Sequence, residues 1–314
     1  MINVESPWNN MAPSSQRRVN SQINHDIFWI TDVNGNYGFC IRARKIPFVS
    51  NKIRLKGISI LKRYNEEYVE LFLVVNDKKD WQIFNVLCKD LIEVAKLYDN
   101  DEKMINATEI RLKRWQQLLK HERNKEFPLE KQMGLFSELL CLKDTIAPKV
   151  GIKRAIKSWV GPDYDKQDFL LDNSIIEVKS YKTTKGDIIN ISSKEQLFSE
   201  KDPFYLLTYA LTFSEQGDTV EDIVNSIKQV LTAEFDYDIL DIFEIKLMDY
   251  GFIPEIIVEP LQNFKVDKTR AFYISDEFPR ISPQNVMKQI ISVKYAIDLS
   301  DCAEFEINID SLII

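Results

Sequence analysis

Acidic residues two positions ahead of a lysine recur along this chain of 314 residues: Asp77-Lys78-Lys79, Asp101-Glu102-Lys103, Glu177-Val178-Lys179 and Glu244-Ile245-Lys246. A carboxylate beside an ammonium can hold a cation and steady developing negative charge, provided both side chains share a face. Asp77 and Asp101 stand in polar connections, where a solvated turn explains them. Glu244 and Lys246 stand where Leu240, Phe243, Leu247 and Tyr250 predict a helix, on which side chains two apart point away from each other. Glu177 and Lys179 fall instead in Ile175-Ile176-Glu177-Val178-Lys179, which reads as a strand. A period of two puts Glu177 and Lys179 on one face, with Ile176 and Val178 on the other.

The run Asp168-Phe169-Leu170-Leu171 reaches that strand through Asp172-Asn173-Ser174. With Asp172-Asn173 as a two-residue hairpin loop, Leu171 faces Ser174, Leu170 faces Ile175 and Asp168 faces Glu177. Directly opposed side chains have Cβ atoms ~5 Å apart, so two carboxylates would converge with Lys179 one step along. Carboxylates placed this way repel unless a cation or a proton lies between them. A hard divalent ion with oxygen ligands, such as Mg²⁺, would neutralise them. The arrangement depends on register, because a slip of one residue sends one set to the other face. Asp163, Asp165 and Asp172 are the alternatives to Asp168, and a literal Pro162-Asp163 lies just upstream in what reads as a turn.

Composition narrows the chemistry further. The chain is 45% hydrophobic and 28% charged, which excludes a disordered chain or a fibre. Only His25 and His121 are present, so histidine-built zinc sites and HNH-like metal nucleases lack their ligands. No GxSxG elbow, GxxxxGK[ST] or GxGxxG occurs, so nucleotide-loop and serine-hydrolase readings fall away. An ATPase or methyltransferase activity would need other chains. Four cysteines far apart in sequence, with no CxxC pair, read as free thiols. No apolar run approaches the ~18–20 residues of a membrane span, and the first residues lack the pattern of an export signal. A cytoplasmic protein without membrane contact is expected.

The elements that must position these residues follow from periodicity. Ile27–Thr31 and Tyr37–Ile41 flank Asn34-Gly35, a hairpin signal, and Tyr68–Val75 is a further strand. Helices are predicted from Trp81 to about Leu97 and from about Glu109 to Leu119, and the polar run 121–126 marks a boundary. Beyond it come a helix over 129–146, strands over 154–160, 169–171, 175–181 and 187–191, and a short helix opened by a capping box at Ser192-Ser193-Lys194-Glu195. A strand over 204–213, helices over 220–231 and 235–250, and strands near 270–275 and 290–298 complete the reading. The expected organisation is a β-rich unit over 1–124 ending in helices, a core over 125–215 and an α/β extension over 216–314.

Gly134 through Leu139, Trp159-Val160-Gly161-Pro162, Asp168-Phe169, Glu177-Val178-Lys179 and Ser192 through Leu197 occur in an order that resembles the PD-(D/E)XK nuclease superfamily. The likeness is to an uncharacterised bacterial group of that superfamily, and Phe278-Pro279-Arg280-Ile281 and the strand through Tyr295 resemble its C-terminal part. The resemblance implies an α+β or α/β protein with a restriction-endonuclease-like αβββαβ core. It implies a metal-dependent phosphodiesterase in which Asp168 and Glu177 hold Mg²⁺, or Mn²⁺ in its place, and Lys179 orients the attacking water or stabilises the phosphorane charge. Glu138 would be an outer ligand or hold a metal-bound water, and Gln196 would support the site. Gln167 rather than proline precedes Asp168, which departs from the family pattern.

The charge of −7 is unevenly spread: residues 1–63 hold ten basic and three acidic side chains, while residues 215–314 hold eight basic and twenty acidic ones. Lys149, Lys153, Arg154 and Lys157 form a basic stretch without an intervening acid, read as a phosphate track or as a solvated strand edge. Trp159 is expected to pack in the core. DNA is the expected substrate, in a restriction-like or anti-phage defence setting that the resemblance supplies, with other defence proteins as partners. Cutting two strands with one site per chain would favour a homodimer. The contrasting expectation is a catalytically inactive subunit on a nuclease fold that binds DNA or a partner protein.

Overall fold

The computed structural model describes residues 6–19, 23–44, 53–120, 127–163, 166–254, 257 and 259–314. The chain divides into two compact units, Met1–Asn124 and Lys125–Ile314. The polar run 121–126 and His121 within it lie outside the described residues.

The N-terminal unit contains strands β1 (Gln16–Arg18), β2 (Asp26–Thr31), β3 (Tyr37–Arg44), β4 (Ile58–Tyr64) and β5 (Tyr68–Val75), then helices α1 (Trp81–Lys96) and α2 (Asp101–Lys120). The strands form one sheet in the order β1-β2-β3-β5-β4, with every pair antiparallel. The Asn34-Gly35 signal closes the β2–β3 hairpin: Gly35 adopts φ +73°, and the Asp32 carboxylate accepts from the backbone N–H of Asn34 at 2.8 Å and Asn36 at 2.7 Å. Buried His25 has Nδ1 2.7 Å from Asp101 Oδ1 and Nε2 2.6 Å from Tyr98 O. Its setting is one of packing and hydrogen bonding.

The second unit opens with α3 (Leu129–Leu140), which runs through one wide turn at Cys141–Ile146 into α4 (Ala147–Val150). Gly151, at φ +82°, breaks the helix, and α5 (Ile152–Ser158) follows. Next come β6 (Phe169–Leu170), β7 (Ile175–Lys182), β8 (Ile188–Ile191), β9 (Phe204–Asp218), α6 (Val220–Ala233), α7 (Tyr237–Tyr250), β10 (Phe264–Tyr273), β11 (Tyr295–Asp298) and β12 (Glu306–Ile307). The main sheet runs β12-β10-β9-β7-β6, and β8 pairs with β11 in a separate two-stranded sheet. β7 and β9 are parallel, and the other main-sheet pairs are antiparallel.

Both faces of this sheet are buried, which explains why β9 begins with the continuous run Phe204–Leu211. Tyr205, Leu207, Tyr209 and Leu211 enter a core shared with α3, α6 and α7. Phe204, Leu206 and Ala210 enter a second core shared with β8 and β11. Along β7, Ile176 and Val178 belong to the helix-side core, whereas Ile175 and Tyr181 belong to the other. Glu177 and Lys179 therefore point to the face shared with Ile175 and Tyr181.

The fold is mixed α+β. In the first unit α2 starts at Asp101, whose carboxylate meets His25 and Arg44 N, rather than near Glu109 with Asp101 in a solvated turn. In the second, β10 starts at Phe264 rather than near 270. Three further departures bear on the site. Residues 154–160 are not a strand: 152–158 form α5, with Ala155, Ile156 and Trp159 buried at helical spacing. Ser192–Glu195 does not open a helix, and turns occupy 194–197, so the second helix of an αβββαβ core is absent among the described residues. The boundary expected at 215/216 falls inside β9, and β10 pairs along β9 from Phe264 opposite Phe213 to Tyr273 opposite Tyr205, so 125–314 is one unit. Near that point a Cβ on Gly217 would lie 2.2 Å from Phe264 O. Gly217→Ala is accordingly expected to cost about 1–3 kcal/mol of stability through overpacking. The expected readout is a lowered urea midpoint; an unchanged midpoint would contradict the close β9–β10 approach.

Candidate active site

In the β6–β7 hairpin, Leu170 stands opposite Ile175 and Phe169 opposite Ile176, and Leu171 N donates to Ser174 O at 3.0 Å. That register leaves Asp172-Asn173 as the loop and sets Asp168 opposite Glu177. Asp168 Oδ2 accepts from Val178 N at 2.7 Å. Glu177 is 1% exposed, and Lys179 Nζ donates to its Oε1. Its second oxygen, Oε2, is buried without a hydrogen-bond partner.

Glu138, on α3, comes to the same place. Its Oε2 accepts from Trp159 Nε1 at 2.7 Å and its Oε1 from the Tyr250 hydroxyl at 3.2 Å. Gly161 stands between the acids: a Cβ there would lie 3.0 Å from Asp168 Oδ1 and 3.2 Å from Glu138 Oε2. Only a bare backbone lets both carboxylates close on this point. The chain is held beside Asp168 by Val160 N and Gly161 N, which donate to Asp168 O at 2.8 and 3.1 Å.

The electrostatics follow from burial. Glu177 is pushed up to about 8, first by desolvation and then by the neighbouring Asp168 charge, while Lys179 pulls it back. Glu138 is raised well above the usual carboxylate range by burial and by Asp168, against the hydrogen bond from Trp159 and the Lys179 charge. Asp168 is raised by burial, against Lys179 and the Val178 N–H. The Lys179 ammonium is raised, because Glu177, Asp168 and Glu138 together outweigh its own desolvation. All-oxygen donors and the orphaned Glu177 Oε2 suit a hard divalent cation held by Asp168 and Glu177. Among the described residues, no three His, Cys, Asp or Glu side chains are gathered closely enough to hold a metal as they stand; Lys179 takes the cation's place on Glu177.

The alternatives to Asp168 lie elsewhere. Asp163 pairs with Lys246 Nζ at 2.6 Å and is half exposed, Asp172 pairs with exposed Arg154 at 3.2 Å, and Asp165 lies outside the described residues. Gln196 closes its own turn, its Oε1 accepting from Ser192 N at 2.8 Å, and among the described residues no hydrogen bond joins it to the three acids. Gln167 ties that turn to the site instead: its amide donates to Glu195 O at 3.2 Å and Phe198 O at 3.1 Å. Of the basic stretch, Lys149 donates to Asp310 O and Leu312 O, Lys153 pairs with Asp236 at 2.6 Å and Lys157 is exposed on α5. These residues lie on helices, not along a strand edge. Sequence reasoning missed Tyr250 and Lys246 on α7 and the steric role of Gly161. Lys246 Nζ also donates to Trp159 O at 2.5 Å, and Trp159 is fully buried against Phe243 and Tyr250.

A mixed sheet that presents opposed acids and a lysine two residues on, backed by a helix glutamate, is compatible with a nuclease-like fold. The chain belongs to the family described as "Putative PD-(D/E)XK family member, (DUF4420)", whose model matches residues 4–300. Among curated proteins and among solved structures, none matches the chain.

Raised carboxyl groups make the folded state bind protons more tightly than the unfolded chain does. Stability that is fully present below the ordinary glutamate value of 4.5 is therefore lost as pH rises toward the Glu177 value of about 8; Asp168 and Glu138 act in the same direction. In EDTA the protein is expected to melt at a lower temperature at pH 8 than at pH 5.5. Glu177→Gln, which has no charge to desolvate, is expected to flatten that slope. A slope identical in the two proteins would show that Glu177 carries no uncompensated burial.

Proposed function

We propose that the protein is a divalent-metal-dependent nuclease that hydrolyses phosphodiester bonds of DNA, in a restriction-like or anti-phage defence setting. The observation that carries this reading is Asp168 opposed to Glu177 across the hairpin, with Lys179 beside them and Glu177 Oε2 buried without a partner. Asp168 and Glu177 would hold Mg²⁺, with Mn²⁺ able to replace it. Bound there, the cation supplies positive charge that polarises a phosphoryl oxygen and offsets charge developing in the transition state. Lys179 Nζ, released from Glu177 Oε1, donates a hydrogen bond to the attacking water or to a phosphoryl oxygen. Glu138, fixed by Trp159 and Tyr250, holds the outer side of the site, and those two rings exclude water behind it. The DNA substrate and the defence setting are carried over from the resemblance to superfamily nucleases, and partner proteins of a defence system would supply any ATP-driven step.

One observation favours a second reading. The Lys179–Glu177 ion pair, together with the lack of a ready three-ligand group among the described residues, fits a nuclease-fold subunit that binds DNA or a partner protein without cutting. Plasmid cleavage separates the two. Nicked or linear product is expected with Mg²⁺ and none with EDTA, and Lys179→Ala is expected to slow cutting by about 10²–10³-fold. Calorimetric titration should show Mn²⁺ binding that Asp168→Ala abolishes. Cutting that survives both chelation and Lys179→Ala removes the mechanism; neither cutting nor Mn²⁺ binding establishes the non-catalytic subunit.

A further inference from the structure

Residues 278–297 contain no aspartate or glutamate but carry Arg280, Lys288 and Lys294. The stretch lies within the section of twenty acidic and eight basic side chains, so its lack of acids sets it apart locally as a place where a polyanion is not repelled. Its middle projects. Asn285 N donates to Ser282 O at 3.0 Å, and Ile290 N donates to Met287 O at 2.9 Å, which puts Lys288-Gln289 at the tip of a tight turn. Lys288 and Lys294 are exposed, and so are the apolar Met287 at 72%, Ile290 at 39% and Ile291 at 92%. Three neighbouring aliphatic side chains left in water on one turn mark an interaction surface.

The turn is also held in place. Arg280 Nη1 donates to Leu197 O at 2.7 Å, Ile281 N to the Tyr295 hydroxyl at 3.2 Å, and Lys194 Nζ to Ile290 O at 3.0 Å. From Tyr295 the chain pairs along β8, the strand that follows the one bearing Glu177 and Lys179. The 194–198 turn that Lys194 and Arg280 tie to this stretch is also bonded by Gln167, the neighbour of Asp168, whose amide donates to Glu195 O at 3.2 Å and Phe198 O at 3.1 Å. The turn is therefore anchored beside the opposed carboxylates.

We propose that the Met287–Ile291 turn is a duplex-engaging wedge, with Lys288 and Lys294 contacting phosphates while Met287 and Ile291 press into a base step of double-stranded DNA next to the phosphate to be cut. Apolar wedges flanked by cations unstack a step and open the minor groove, which exposes a backbone phosphate to a neighbouring site. A protein partner would meet the same aliphatic side chains, but the lack of acids and the position beside the acid pair favour a polyanion. The inference rests on the nuclease reading and names how that site would meet its substrate.

Fluorescence anisotropy of a labelled duplex, measured in EDTA so that no cutting occurs, tests the wedge separately from catalysis. Lys288→Ala with Lys294→Ala is expected to weaken binding and to reduce the slope of log K against log salt by about 2. Met287→Ser with Ile291→Ser is expected to weaken binding by about tenfold at an unchanged salt slope. A 2-aminopurine duplex is expected to brighten on binding the natural protein but not this second variant. All four side chains are exposed, so melting temperatures equal to the natural protein's confirm that both variants fold. Wild-type affinity and slope in both variants, as a protein-docking turn would give, overturn the wedge, and so does a natural protein that binds no duplex. Wild-type affinity in both variants would leave plasmid cutting by Asp168 and Lys179 untouched, and failure of that cutting would in turn leave the anisotropy comparison of natural protein and variants standing.

Discussion

Three carboxyl groups and one ammonium share a site from which water is nearly excluded, and the C-terminal unit is organised around that imbalance. Isolated charges in such a place cost several kcal/mol each unless paired. The protein answers with donors chosen one by one: Val178 N for Asp168, Lys179 for one oxygen of Glu177, Trp159 and Tyr250 for Glu138. One acceptor is left over, Glu177 Oε2. A buried acid oxygen without a partner is costly, and this one lies beside Asp168 and Lys179, where an added cation would satisfy it.

The hairpin that creates this imbalance was legible because its register follows from few facts. A two-residue loop fixes which residues face one another, and Ile176 and Val178 must face the helices, so Glu177 and Lys179 take the opposite side. Periodicity served equally well where a helix buries one stripe, as in α6, with Val220, Ile223, Val224, Ile227 and Leu231 all buried behind the Thr219–Asp222 capping box. It failed where the same letters lack a following run. Ser192-Ser193-Lys194-Glu195 has the look of a capping box, yet Pro203 stands only a few residues on, and a helix that short does not support itself in water. Gln196 takes the Ser192 N–H that Glu195 would have taken in a capping box.

Long-range partners were not legible for a different reason. Nothing local in α7 says that Tyr250 will meet Glu138, 112 residues earlier, or that Lys246 will reach Asp163 and Trp159 O. Helical spacing shows that α7 has a buried stripe but not which acid the polar tips on that stripe will serve. The misread of 154–160 has a local cause: α5 is only seven residues long, too short for a 3.6 period to stand out from alternation. Gly161 could have been found from its position in Trp159-Val160-Gly161-Pro162. The reason glycine is needed there became visible only when two carboxylates from distant segments closed on it.

Lys179 links the static and the reactive descriptions of the site. In the structure its ammonium compensates Glu177, and its own proton is held more tightly because three acids surround it. Additional positive charge between Asp168 and Glu177 would make that compensation redundant, and the long lysine stem lets Nζ move while the strand stays fixed. On the proposed nuclease reading, the incoming group would be a phosphate, whose negative charge the relieved lysine would meet. On that reading neither a cation nor a polyanion alone would satisfy the site, and charge balance would favour the two together.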